Sequence, residues 1–178
     1  GRAFERISVW DRSELARSFA KELVQREHPG TEVVEEAPDQ AASRIDLLLV
    51  SHVLAELDER GRAQLDGLLA RTRVALFVEP GSRVASHALG ELREQLVDEF
   101  APLAPCPQRG PCGVFQDEGR PNWCHFFARP PAEAFSERRW TLFSKRLGID
   151  LRSLPYSYLL LERSSAGTAP GAAGLARF

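Results

Sequence analysis

Two near-continuous apolar runs, IDLLLVSHVL at residues 45 to 54 and VALFVEPG at 74 to 81, bracket a stretch of helical spacing, AELDERGRAQLDGLLARTR at 55 to 73. A strand that is apolar at successive positions keeps no polar face for water. It needs cover on both sides, and in parallel sheets crossover helices supply that cover. The same alternation runs through the first hundred residues. RISVWD (6 to 11) reads as a strand, SELARSFAKELVQRE (13 to 27) as a helix with Ser13 at its N-cap, TEVVEE (31 to 36) as a strand, and SRVASHALGELREQLVDEF (82 to 100) as a further amphipathic helix. This order predicts an α/β fold, a doubly wound sheet with right-handed crossovers. After Phe100 the pattern breaks into a loop rich in cysteine and proline. A basic stretch, SERRWTLFSKRLGID (136 to 150), and a last strand, YSYLLLER (156 to 163), follow. The end, SSAGTAPGAAGLARF, has the composition of a linker or disordered tail, assigned to 164–178.

With 25 acidic and 23 basic residues and 43% hydrophobic content, the 178-residue chain suits one globular domain of ordinary size. No run approaches the roughly 18 apolar residues that a membrane span needs, and the first residues lack the order of a secretory signal. A cytoplasmic protein is expected, with neither a membrane nor DNA as partner. Lys21 and Lys145 are the only lysines, and the resulting arginine bias is that of a GC-rich bacterial genome. The absence of methionine is expected of a fragment of a longer chain.

Ligands of such sheets sit at the carboxyl ends of the strands. Asp11, where the first strand gives way to helix, either accepts hydrogen bonds from the ribose hydroxyls of a nucleotide-like cofactor or caps the following helix. Glu36 is a second acid of the same kind, or a solvated one. Ser51 and His52 stand at the mouth of the IDLLLV strand, as cofactor contacts or as hydrogen-bonded structural residues. Glu79 ends the next strand, against substrate or at the start of a turn.

All three cysteines lie in CPQRGPCGVFQDEGRPNWCHF, residues 106 to 126. In a reducing compartment, clustered thiols read as metal ligands or catalytic groups before disulfides. The spacing of Cys106, Cys112 and Cys124 lets one loop gather three sulfurs, and Pro105, Pro107 and Pro111 reduce the entropy lost in closing it. Soft thiolates select an iron-sulfur cluster or zinc over hard cations, but both prefer four ligands. His125 adjoins Cys124, a poor geometry for two ligands of one ion. The other reading is a metal-free loop whose thiols act as small apolar groups.

The segments VWDRS, DLLLVSHVLAEL, VEPGS, APCPQRGPC, WCHF and YSYLLLER, over roughly residues 6 to 163, together resemble the methyltransferase-like proteins associated with the small ribosomal subunit in mitochondria and bacteria. The resemblance implies a Rossmann-like sheet of the class I methyltransferase kind over 1–163, with a cysteine-rich insertion at 104–126. It implies S-adenosylmethionine as cofactor, an iron-sulfur cluster, and the small ribosomal subunit and its RNA as partners. By position, Asp11 matches the acid that would hold the cofactor ribose, and Cys106, Cys112 and Cys124 match the cluster ligands. The family's fourth cysteine is expected beyond the last strand, and its first strand and glycine-rich loop before Gly1. A sheet lacking that strand is expected to expose an apolar edge and to aggregate unless a neighbour covers it.

Contact with RNA is expected around and after the cysteines. There Arg109, Arg120, Arg129, Arg138, Arg139, Lys145 and Arg146 are interleaved with Trp123, Phe126, Phe127, Trp140 and Phe143. Arginine neutralises phosphate and aromatic faces stack on unpaired bases, although a solvated face over buried aromatics would have the same composition. SHVL stands where methyltransferases of exocyclic amines carry an Asn/Asp-Pro-Pro-aromatic motif, and no nucleophile is evident. Two functions therefore remain: an S-adenosylmethionine-dependent RNA methyltransferase, and a non-catalytic assembly factor that uses the same fold as an RNA-binding scaffold. An unrelated α/β domain with structural zinc is a third.

Overall fold

The structure, a computed structural model, describes residues 4–40, 44–115 and 121–164. Residues 165–178 of the expected tail, residues 116–120 of the cysteine loop and the candidate Arg120 among them lie outside the described residues. The chain divides into two compact units, one comprising Gly1–Ile45 with Asp58–Arg71 and the other Asp46–Leu57 with Thr72–Phe178.

In the first unit, β1 (Arg6–Val9) and β2 (Glu32–Glu35) pair in parallel, with Ser8 opposite Val34, and α1 (Glu14–Glu27) connects them. Ser13 caps α1 as its sequence predicts, its hydroxyl accepting from the Ala16 amide at 3.3 Å. A further helix of this unit, α2 (Glu59–Leu69), is capped by Asp58, which accepts from the Gly61 amide at 2.8 Å.

The second unit is built on a sheet of order β3-β4-β7-β5, from β3 (Ile45–Ser51), β4 (Thr72–Pro80), β5 (Phe100–Ala104) and β7 (Pro155–Arg163). The two-residue β6 (Phe126–Phe127) pairs with the start of β7. β7 runs antiparallel to β4 on one side and to β5 on the other. Its period-2 burial of Ser157, Leu159 and Leu161 meets Glu79, Phe77 and Ala75 of β4 directly across the ladder. Phe77, Ala75, Leu161 and Phe100 are wholly buried, the apolar centre of this unit. One face of α3 (Arg83–Leu96), carrying Ala85, Ser86, Leu89 and Arg93, is buried. After α3 come a 3-10 turn at Gly113–Phe115, the short α4 (Glu133–Ser136) and α5 (Arg138–Leu147). α5 ends on Gly148 at φ 66°, the left-handed conformation that lets a glycine close a helix.

The α/β class is as expected, with three differences in detail. The larger sheet is mixed, because β7 enters antiparallel between β4 and β5. β3 is not covered on both faces: Leu47 and Leu49 are 44% and 61% exposed, and Val50 alone of its residues is buried. Residues 100 to 104 form β5, where the sequence reading placed the start of a loop. Among the described residues no helix is long and apolar enough to cross a membrane.

Candidate functional site: a cysteine loop held against one helix

β4 ends at Pro80, and the chain turns through Gly81 into α3, where Ser82 accepts from the Ala85 amide at 3.3 Å. The cysteine loop is fastened to this corner and then along α3. Trp123 Nε1 donates to the Gly81 carbonyl at 2.9 Å. The buried Ser86 accepts from the Cys124 amide at 3.0 Å and donates to the Cys124 carbonyl at 2.7 Å. Ser157, from β7, donates to that same carbonyl at 2.7 Å, so both main-chain groups of Cys124 are saturated. The next residue of α3, His87, meets the Asn122 carbonyl at 2.9 Å, and one turn after Ser86, Gly90 leaves room for the Phe115 ring, which a Cβ there would strike at 2.4 Å.

The last turns of α3 hold the other two cysteines. Arg93 Nη1 donates to the Gly110 carbonyl at 3.1 Å, and Nη2 donates to Gly110 at 3.2 Å and also to Gln108. Glu94 Oε1 accepts from the Cys112 amide at 3.1 Å. Arg93, Glu94, Val97, Arg109, Gly110 and Pro111 line a cleft of about 270 Å³.

Cys106 is exposed, while Cys112 and Cys124 are half-buried, all as free thiols. Burial first, and then the neighbouring Cys106 and Cys112, push the Cys124 thiol above its ordinary range, so the other two thiols are close enough to be felt at Cys124. Burial and then Tyr156, Cys124 and Cys106 likewise raise Tyr158, which places its phenol beside the thiols. Among the described residues, no three of His, Cys, Asp and Glu are arranged to hold a metal ion together. Thiolate is the nucleophile in alkylation, and a raised pKa leaves less of it at a given pH. Iodoacetamide at pH 8 is therefore expected to label Cys106 before Cys124. Equal rates by peptide mass spectrometry would contradict this placement.

The residues expected at the strand ends divide between the units. In the first, Asp11 is exposed and its Oδ1 accepts from the Ser13 amide at 2.7 Å, so it shapes the turn into α1. Glu36 accepts from Ser8 Oγ at 2.7 Å and from Arg6, joining the end of β2 to β1. The Ser8 hydroxyl first, and then the Arg6 guanidinium, hold its carboxyl below the usual range against a smaller opposing effect of burial. In the second unit, Ser51 and His52 are exposed at the end of β3, with His52 at φ 57° and its amide donating to Val78 at 2.9 Å. Glu79 is 1% exposed, and its Oε1 accepts from the Val53 and Leu54 amides at 3.1 and 3.2 Å. Of the two readings of Glu79, the structure supports the turn.

Arg129, Arg138, Arg139, Lys145 and Arg146 are all exposed. α5 carries four of these five cations and buries none of its residues, leaving Trp140 and Phe143 36% and 47% exposed. Arg139 lies over the Trp140 ring, 5.6 Å from its centroid. Arg109 is engaged within the protein, donating to the Val97 carbonyl at 3.2 Å and to Ser164 Oγ at 2.8 Å.

Ser86, Arg93, Glu94 and Ser157 are not among the sequence candidates. Ser86 and Arg93, seven residues apart on the face that buries Ala85 and Leu89, were the legible signal: polar side chains on an apolar helix face need partners. Comparison with known families gives a match over residues 2–172 to the one described as "Mitochondrial small ribosomal subunit Rsm22". Comparison with curated proteins gives no match.

Proposed function

The chain belongs to the Rsm22 family, a methyltransferase-like family described by the mitochondrial small ribosomal subunit, and from that premise we propose that it acts on the small ribosomal subunit as an S-adenosylmethionine-dependent RNA methyltransferase. The family match carries this reading. Support comes from the parallel β1-α1-β2 unit, with Asp11 at the carboxyl end of β1, where open α/β sheets bind their ligands. An exposed carboxylate there suits the ribose hydroxyls of the cofactor. When bound, S-adenosylmethionine supplies an electrophilic methyl group. The exposed cations and rings of α5 suit phosphate and unpaired bases, which makes this helix the proposed RNA contact.

Cys106, Cys112 and Cys124 are the proposed ligands of an iron-sulfur cluster, with zinc as the alternative. Their donor chemistry fits either, and their mutual electrostatic influence supports a shared site, of which they supply three of four ligands. A second reading, a non-catalytic assembly factor, gains from the engagement of Asp11 by Ser13 and of Glu36 by Ser8 and Arg6.

The test combines methyl transfer with metal content. Anaerobically purified protein is given labelled S-adenosylmethionine and small-subunit RNA, and its absorbance, iron, sulfide and zinc are measured. Label in RNA and a thiolate-to-iron shoulder are expected. Co-sedimentation with the subunit without cofactor binding or label would replace the enzyme by the scaffold. Stoichiometric zinc in a colourless protein would replace the cluster, and no metal at all would remove the metal centre.

A further inference from the structure

Arg93 is 6% exposed, and a guanidinium stays charged at any ordinary pH. A buried cation is normally offset by a carboxylate, yet among the described residues Arg93 pairs with none. Its hydrogen bonds go to the carbonyls of Gln108 and Gly110, and its buried Nε has no partner. Those two carbonyls belong to the short segment between Cys106 and Cys112. The planar fork of arginine can fix two carbonyls at once, so the segment is pinned by its main chain.

The remaining clamps come from the same rigid element. Glu94, the next residue of α3, holds the Cys112 amide, and Ser86, two turns earlier, holds both main-chain groups of Cys124. Each cysteine is thus placed from α3, either through its own backbone or through the segment beside it. None of these bonds involves a sulfur.

We propose that Arg93 is the positioning residue of the thiol site, holding the 106–112 segment against α3 so that Cys106 and Cys112 stand on the side of Cys124 before any metal arrives. The proposal rests on the reading of Cys106, Cys112 and Cys124 as one ligand set. It goes beyond that reading by making the loop preorganised by helix α3, with the sulfurs drawn the rest of the way together when metal binds.

The test uses reduced, chelator-treated protein and phenylarsine oxide, whose trivalent arsenic bridges two neighbouring thiols. The wild-type protein is expected to bind one equivalent. Arg93→Met, which keeps the aliphatic stem, should weaken that binding about ten-fold or more, because the Gln108 and Gly110 carbonyls both lose their charge-assisted partner. Arg93→Lys, which can still donate to one carbonyl, should restore part of it, and Arg26→Met, exposed on α1, should leave it unchanged. Thermal unfolding of each variant separates a loosened loop from a lost fold. If Arg93→Met does not fold, Arg93→Lys, with one donor in place of a fork, decides, and weaker arsenical binding than that of the wild type is expected. An arsenical that ignores the substitution at Arg93, or fails to bind the wild type, would overturn the proposal. Parallel titration with cobalt(II) keeps the two readings apart. Absence of a thiolate charge-transfer band alongside Arg93-dependent arsenical binding removes the metal centre and leaves the preorganised loop. A cobalt band with an indifferent Arg93→Met does the reverse.

Discussion

Glu79→Ala is expected to lower the stability of the folded chain by about 3 kcal/mol, because it strips the acceptor from two amides, one buried and one partly buried. The side chain is 1% exposed, and its Oε1 is shared by the Val53 and Leu54 amides, the latter fully buried. An orphaned buried N–H costs roughly 1–3 kcal/mol, and the space vacated by the carboxyl adds a cavity term. For a chain of this size the loss corresponds to a fall in melting temperature of roughly 6–12 °C. Glu79→Gln keeps one carbonyl oxygen at the same place and should lose much less. Urea titrations of the two variants check the order. If alanine and glutamine are equally tolerated, the carboxylate is not what joins β4 to the turn after β3.

The same residue shows how far the sequence could be read. That an acid ends the VALFVEPG strand is plain from the string. Its partners are backbone amides 25 and 26 positions away, which have no residue-type signature. Ser13 was legible because its partner, the Ala16 amide, lies within the same local motif. β5 was missed for a physical reason. FAPLA carries Pro102 inside it and Pro105 just after it, and proline removes ladder donors, so the segment reads as loop. The strand survives because it ends the order β3-β4-β7-β5, where one side of its backbone owes no ladder bonds. β3 was read as buried on both faces because hydrophobicity reports what a strand could bury. Leu47 and Leu49 remain exposed in the described chain.

The cysteines themselves stand out in the sequence by residue type and spacing. The apparatus that holds them could be found only in part. Ser86 and Arg93 stand out as polar residues on the apolar face of α3, but the groups that they and Glu94 bind are main-chain carbonyls and amides of a loop, which carry no residue-type signature. On the core face of the β4-β7 ladder, Ala75 opposite Leu161 and Phe77 opposite Leu159 give way to Glu79 opposite Ser157. That last pair faces outward in its bonding: Glu79 ties down the turn after β3, and Ser157 ties down Cys124. The core and the candidate site are therefore continuous, and a change at their junction should be felt in both.

Gly81 lies at that junction, and Gly81→Ala is expected to cost about 3 kcal/mol or more, at the upper end for overpacking. A Cβ there would stand 2.5 Å from Pro155 Cβ, 2.6 Å from the Pro155 carbonyl carbon and 2.8 Å from the Tyr156 amide nitrogen. Two of these three are main-chain atoms of β7, which no rotamer change can move aside. Relief requires β7 to shift from β4 at the Pro80–Tyr156 end of the ladder, where the Gly81 amide also donates to the Pro155 carbonyl at 2.9 Å. The Gly81 carbonyl receives the Trp123 indole, so the displacement passes to the residue before Cys124. Loss of stability should thus be accompanied by faster alkylation of Cys124 under native conditions. Gly67→Ala supplies the contrast. Gly67 lies within α2 with nothing in 4 Å of an added Cβ, and alanine there should stabilise by about 0.5–1 kcal/mol through helix propensity. If both variants melt together, the close approach of Gly81 to β7 does not constrain the fold. If Gly81→Ala melts early with Cys124 unchanged, the strand contact stands and its link to the cysteine loop fails.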